Sequence, residues 1–177
     1  MCVGYTHSGK TTFAKKLVKK HPSTVQIDSD EIAVFLRESY PSVVESLYNK
    51  NRPDFSNLKM VFFKEVYRFS LNTGFNIILS NGNIADKFRA FISEEAKKHQ
   101  YILVTIYFNL SEEIILDRLE GTKKSSNVFI QSKNWIEVFS RQKEYAQLPP
   151  SKEDTIYFEI KSDVDQEVVI EEVGKLI

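Results

Sequence analysis

Gly4-Tyr5-Thr6-His7-Ser8-Gly9-Lys10-Thr11 satisfies the phosphate-binding pattern G-x-x-x-x-G-K-[ST]. The spacing has a physical basis. A loop that wraps its backbone N–H groups around a polyphosphate needs glycine where side chains would block close approach. Lys10 then reaches the β- and γ-phosphates, and the Thr11 hydroxyl is placed to ligate Mg²⁺. Met1-Cys2-Val3 ahead of the loop is a short apolar strand, and Thr12 to Lys20 behind it is an amphipathic helix. The phosphates would therefore sit at a helix N-terminus, where unpaired N–H groups favour anions. Residues 4–12, including Tyr5, Thr6, His7, Ser8 and Thr12, form the expected cradle for ATP or another nucleoside triphosphate. His7 is read as structural or gating, because the loop needs backbone rather than side chain at that point.

Outward from the loop, strands alternate with helices, which predicts a parallel sheet covered on both faces. Thr24–Ile27 is the second strand and ends in Asp28-Ser29-Asp30-Glu31. A helix over Ile32–Glu38 stops at Tyr40-Pro41. The segment at about 38–56 covers the substrate side, and Asn57–Leu71 is a long helix whose Phe62, Phe63, Tyr67 and Phe69 belong to the core. Phe75–Leu79, Ile102–Phe108 and Ile156–Ile160 read as strands. Helices are expected over Asp86–His99, Ser111–Leu119 and Gln131–Ala146, with Trp135 and Phe139 in the core. A polar, lysine-bearing lid is expected at about 120–130. Asp163-Val164-Asp165-Gln166 reads as a capping box for a terminal helix.

The 177 residues suit one domain, with Lys+Arg 24 balancing Asp+Glu 24. Zero net charge supplies no global field toward nucleic acid or membrane, so a polynucleotide partner is possible but not favoured. No run approaches the ~18 apolar residues of a membrane span. The single cysteine, Cys2, cannot form an internal disulfide, which suits a reducing cytoplasm. Three residues before Gly4 are few against the typical ~5–6 of a strand. The natural protein is therefore expected to begin upstream of Met1.

In parallel sheets, ligands bind at the carboxyl ends of the strands. Asp28 and Asp30 lie at such an end. Asp28 fits either a helix cap, with Glu31 three residues on, or support of the metal alongside Thr11. Asp30 is expected to orient and deprotonate an acceptor hydroxyl. The third strand ends in Ser80-Asn81, where phosphate-loop NTPases commonly carry an acid. Asn83 is either a substrate contact or a turn residue. Arg118 and the lid lysines Lys123 and Lys124 are the candidate cations for the migrating phosphoryl group, and Arg141 either points back at the nucleotide or pairs on the surface. Arg37 and Arg89 are the weaker substrate-side candidates. Base preference is unreadable, since no guanine-selecting Asn-Lys-x-Asp run is present.

Gly4–Thr11, Asp28-Ser29-Asp30-Glu31, the strand end Ile77–Asn83 and Arg118 beside a lysine-bearing lid resemble small P-loop kinases. The likeness is greatest to the kinase domain of bacteriophage polynucleotide kinase and its zeta-toxin-like relatives, and runs through Leu148-Pro149. It implies a P-loop NTPase three-layer α/β sandwich with a five-stranded parallel sheet of order 2-3-1-4-5. It also implies transfer from Mg²⁺-ATP to a hydroxyl-bearing substrate, with Lys10, Asp30 and Arg118 catalytic. Ala33 stands where the polynucleotide kinases place a substrate-phosphate arginine, Asn81 replaces their strand-three acid, and their second lid arginine is missing. Asp28 and Asp30 also look like the pair in shikimate-type kinases. The rival class is a nucleotide-binding switch or slow ATPase.

Overall fold

The computed structural model describes residues 1–49, 54–122 and 134–177. In chain order the elements are β1 (Cys2–Val3), α1 (Lys10–Lys20), β2 (Thr24–Ile27), α2 (Ser29–Ser39), α3 (Pro41–Asn49), α4 (Asp54–Leu71) and β3 (Asn76–Leu79). There follow α5 (Asp86–Lys98), β4 (Val104–Phe108), α6 (Glu112–Glu120), α7 (Trp135–Tyr145), β5 (Ile156–Ile160) and α8 (Asp163–Gly174).

Among the described residues all three strand pairs are parallel, but they form two sheets rather than one. β1, β4 and β5 make a three-stranded sheet in the order β1-β4-β5, and β2 pairs only with β3. This corrects the continuous order 2-3-1-4-5. The cause lies at the seam between β1 and β3. β1 has two residues, and the Asn83 side chain takes its Cys2 carbonyl at 2.7 Å, an acceptor that a neighbouring strand would otherwise use. The seam is closed instead by Gly4 N–H donating to the Gly82 carbonyl at 2.9 Å.

Strand alternation divides the core into two faces. Cys2, Ile106, Phe108 and Ile160 meet Phe13 and Leu17 of α1 and Val169, Ile170 and Val173 of α8. Val3, Ile27, Leu79 and Tyr107 meet Phe63, Tyr67 and Leu71 of α4 and Ile92 of α5. Phe13 and Phe63, both at 0 % exposure, anchor the two faces. Burying each such side chain contributes roughly 1.5–3 kcal/mol. With both layers clamped, the carboxyl ends of β1, β2 and β3 and the N-terminus of α1 are held at one end of the molecule.

Three local expectations are corrected. Pro41 does not merely stop a helix; it opens α3, since its fixed φ and missing N–H suit a first helical position. Phe69 lies outside the core at 73 % exposure, because it falls off the α4 stripe that carries Phe63 and Tyr67. The cap of α8 is Ser162, which accepts from Asp165 N–H at 3.2 Å, and Asp163 is released to the surface. Among the described residues no helix is long and apolar enough to cross a membrane.

Candidate active site

The loop joins β1 to α1 under tight steric limits. Gly4 has φ +151°, and a Cβ there would stand 3.0 Å from both the Phe108 Cβ and the Phe108 carbonyl oxygen. Gly9, at φ +96°, caps α1 in the left-handed region, which glycine enters without a Cβ penalty. The first-turn N–H groups of α1 have no intrahelical acceptor and point out of the helix end. Lys10 is 7 % exposed. Its Nζ donates to the Ser8 hydroxyl at 3.0 Å and to the Tyr5 carbonyl, so the ammonium is stored within the loop.

Burial pushes the Lys10 ammonium from its ordinary 10.5 down to about 8, with nearby acidic groups opposing the shift. A phosphate contact needs the charged form, present below that value. Nucleotide affinity is therefore expected to be full below pH 8 and to fall as pH rises beyond it, by up to about tenfold per unit. The stability of the nucleotide-free protein runs the other way. Its native state releases the proton before the unfolded chain does, so stability grows between pH 8 and 10.5. Calorimetric titration with ADP from pH 7 to 9.5 checks the first sign, and a flat profile contradicts it.

A cavity of about 600 Å³ opens over the loop. Of the expected residues, Thr6, His7, Gly9, Lys10, Thr11, Thr12, Asp28, Asp30 and Arg118 line it. Gly4, Tyr5 and Ser8 of the loop do not line the cavity; the Tyr5 ring packs edge-on against Phe139 at 5.2 Å. Thr6 N–H donates to Gln142 Oε1 of α7 at 2.8 Å. His7 sits at φ 57°, bonds Thr6 Oγ1 through Nδ1 at 2.9 Å, and meets the Trp135 ring edge-on at 4.9 Å. Burial lowers its pKa, with the Lys10 and Arg118 cations adding to the effect. Trp135 thus lines the cavity as well as packing near the α6 core.

Asp28 caps α2 and also faces the phosphate loop. Oδ1 accepts Asp30 N–H at 2.9 Å, capping α2. Oδ2 accepts from the Ser80 hydroxyl at 2.8 Å and faces Thr11 Oγ1 at 3.5 Å. Two hydroxyls and a carboxylate make a hard oxygen set that fits Mg²⁺, which keeps several waters and takes few protein ligands. Asn81 Oδ1 accepts Ser29 N–H at 3.2 Å, so the residue in the usual acid position steadies the start of α2.

Asp30 stands on the first turn of α2 with 45 % of its side chain accessible, and Lys59 of α4 lies 3.8 Å from its Oδ1. The concave protein wall around it excludes enough water to raise its pKa, against the pull of Lys59. The Arg37 charge is felt at Asp30, but Arg37 does not line the cavity. Arg118 Nη1 donates to the His7 carbonyl at 3.1 Å and Nη2 pairs with Asp163 at 3.0 Å, placing a cation beside the loop.

Two candidates are used elsewhere. Asn83, 5 % exposed, binds the Cys2 and Asn81 carbonyls and fixes the β1–β3 seam. Arg89, 7 % exposed, holds Asp86 and the Asn83 and Gln147 carbonyls, outside the cavity. Arg141 is half-buried on α7 and does not line the cavity; its neighbour Gln142 does. Lys123, Lys124 and most of the expected lid lie outside the described residues. Lys59 and Gln142 carry no sequence expectation, and Ser80, Asp163 and Gln166 are named from sequence only as strand-end or capping residues, not as parts of the site. Only Ser80, at a strand end, carries a local signal that finds it.

The model of the AAA domain family matches residues 1–149. Among curated proteins, none is significantly similar to this chain. Solved structures share the fold over nearly its whole length. A sugar kinase from Janibacter sp. superposes with TM-score 0.64 at 14 % identity, covering 98 % of this chain and 90 % of that one. A gluconokinase from Sinorhizobium meliloti gives 0.59 at 12 %, covering 99 % and 92 %. The Mycobacterium tuberculosis APS kinase, solved with AMPPNP and APS, gives 0.61 at 14 %, covering 99 % and 94 %. At these identities the likeness shows the P-loop NTPase-like α/β fold.

Proposed function

The chain belongs to the AAA domain family, and on that premise we propose that it is an ATP-dependent phosphotransferase acting on a hydroxyl group. One observation carries this: Asp30 shares a single cavity with Lys10, Thr11 and Arg118. A nucleotide switch needs the loop and one carboxylate for its metal, which Asp28 can supply; a second, accessible carboxylate in the same cavity suits an acceptor hydroxyl. The kinases among the solved structures of this fold support the same class.

Lys10 and the first-turn amides of α1 bind the β- and γ-phosphates of ATP. Thr11 and Asp28, with Ser80 behind Asp28, are the residues that would hold Mg²⁺. Bound there, the ion neutralises phosphate charge. Asp30 accepts the acceptor's hydroxyl proton as its oxygen bonds to the γ-phosphorus. The bond from that phosphorus to the β–γ bridging oxygen breaks, and ADP leaves. Arg118 offsets charge on the migrating group and the bridging oxygen.

Ala33 belongs to the α2–α3–α4 core with Leu36 and Val44. It supplies no cation at the position where polynucleotide kinases carry arginine. Lys59 from α4 supplies one beside Asp30 instead. An acceptor smaller than a polynucleotide fits this arrangement better. Asn81 in place of a strand-three acid favours the alternative of a slow ATPase or nucleotide switch. ADP release measured with and without a panel of sugars, sugar acids, nucleosides and 5′-hydroxyl oligonucleotides separates the two. Stimulation by an acceptor, with the phosphate recovered on it, is expected. Acceptor-independent turnover across the panel assigns the alternative.

A further inference from the structure

Trp135, Phe139 and Gln142 are spaced i, i+4, i+7 on α7 and so share one face of that helix. The face meets three consecutive residues of the phosphate loop, each by its own contact. The Phe139 ring meets the Tyr5 ring edge-on at 5.2 Å, and the Trp135 ring meets the His7 ring edge-on at 4.9 Å. Between them the Thr6 backbone N–H donates to Gln142 Oε1 at 2.8 Å. Phe139 in turn packs with Ile115 and Leu119 of α6, the helix whose Arg118 donates to the His7 carbonyl at 3.1 Å.

These contacts fall where the loop is least able to hold itself. His7 has φ 57°, a left-handed conformation that a residue with a Cβ keeps only where its surroundings over-determine it. The loop's own bonds run from Ser8 and Lys10 to the Tyr5 carbonyl. They leave the Thr6 N–H and the His7 carbonyl to be held from outside, by Gln142 and Arg118. Resting on the nucleotide reading above, we propose that α7 presets the phosphate loop for a polyphosphate, with Gln142 and Trp135 as positioning residues that act through Thr6 and His7. A preset loop gives up less conformational freedom when phosphate arrives, so the brace shows as affinity. Linkage makes the effect mutual. If the α7 contact tightens phosphate binding by some factor, bound phosphate must stabilise that contact by the same factor. A helix that merely packs beside the loop has no such response.

Inorganic tripolyphosphate, which carries phosphates and no nucleoside, is the probe, with ADP alongside it on the full chain. Saturating tripolyphosphate is expected to slow amide hydrogen exchange along α7 by about 3- to 10-fold. Gln142→Met keeps the side-chain length and loses the acceptor for Thr6 N–H. It is expected to weaken tripolyphosphate and ADP equally, by about 3- to 10-fold, and to shrink the exchange response of α7. Trp135→Phe, which leaves a smaller ring against His7, is expected to act in the same direction with a smaller effect. Exchange along α7 that ignores bound tripolyphosphate in the unaltered protein overturns the inference even if neither variant folds. Unchanged affinities in Gln142→Met overturn it as well. So does tighter binding, which makes α7 a restraint on the loop, or a loss confined to ADP, which sets Gln142 against the nucleoside. Failure of the unaltered protein to bind either ligand overturns the phosphate-loop reading beneath, a result distinguishable from binding without a response in α7.

Discussion

Lys10→Ala is expected to lower acceptor-dependent turnover by about 10²–10³-fold, the usual cost of deleting one donor aimed at developing charge. It should also weaken ADP binding roughly 10- to 100-fold, since a hydrogen bond to a charged group contributes ~1.5–3 kcal/mol. The nucleotide-free protein should behave differently. Burial already holds the Lys10 ammonium at about 8 against an ordinary 10.5. Keeping it charged at pH 7 therefore costs on the order of 3 kcal/mol at most. Alanine relieves that cost while giving up the bonds to Tyr5 and Ser8. The two effects nearly offset, so the melting temperature without ligand should change little, whereas the shift induced by ADP should shrink. Full turnover in the variant, or a collapse of ligand-free stability, would contradict the phosphate role assigned to this amine.

The site was legible where its chemistry is local in the chain. Gly4 to Thr11 is readable because steric need and ligand chemistry fall within eight consecutive residues. Asp28 and Asp30 are readable because a strand end in a parallel sheet faces the ligand. Lys59 was not, because its approach to Asp30 depends on how α4 packs on α2, which no spacing encodes. Gln142 and Gln166 come from helices that return to the loop from late in the chain, and each reads locally as an ordinary polar helix residue. Asn83 and Arg89 misled for the opposite reason. Both carry the right functional groups near a strand end, yet unpaired backbone carbonyls at the β1–β3 seam claim them. The same seam explains the split sheet. Strand count and direction follow from alternating elements, but whether a two-residue strand completes a ladder is decided by which donor reaches its carbonyl first.

Asp30→Asn is expected to leave ADP affinity within about twofold and to lower phosphoryl transfer by ~10²–10⁴-fold, the contribution of a positioned base. Asparagine keeps the shape and can still accept one hydrogen bond from the acceptor hydroxyl, so the loss falls on the proton-accepting step rather than on nucleotide binding. The pH profile adds a readout that a merely structural carboxylate would not move. Asp30 must be ionised to act, and burial raises its pKa above the ordinary 3.8. Activity should therefore be full above that raised value and decline as pH falls through it. Lys59, 3.8 Å from Asp30 Oδ1, opposes the shift. Lys59→Met should consequently move the acid limb to higher pH while sparing ADP binding, and in the Asp30→Asn background the same change should leave the residual profile where it was. Unchanged acceptor-stimulated turnover in Asp30→Asn would remove Asp30 as the base. An acid limb indifferent to Lys59 would place the titrating group elsewhere in the cavity.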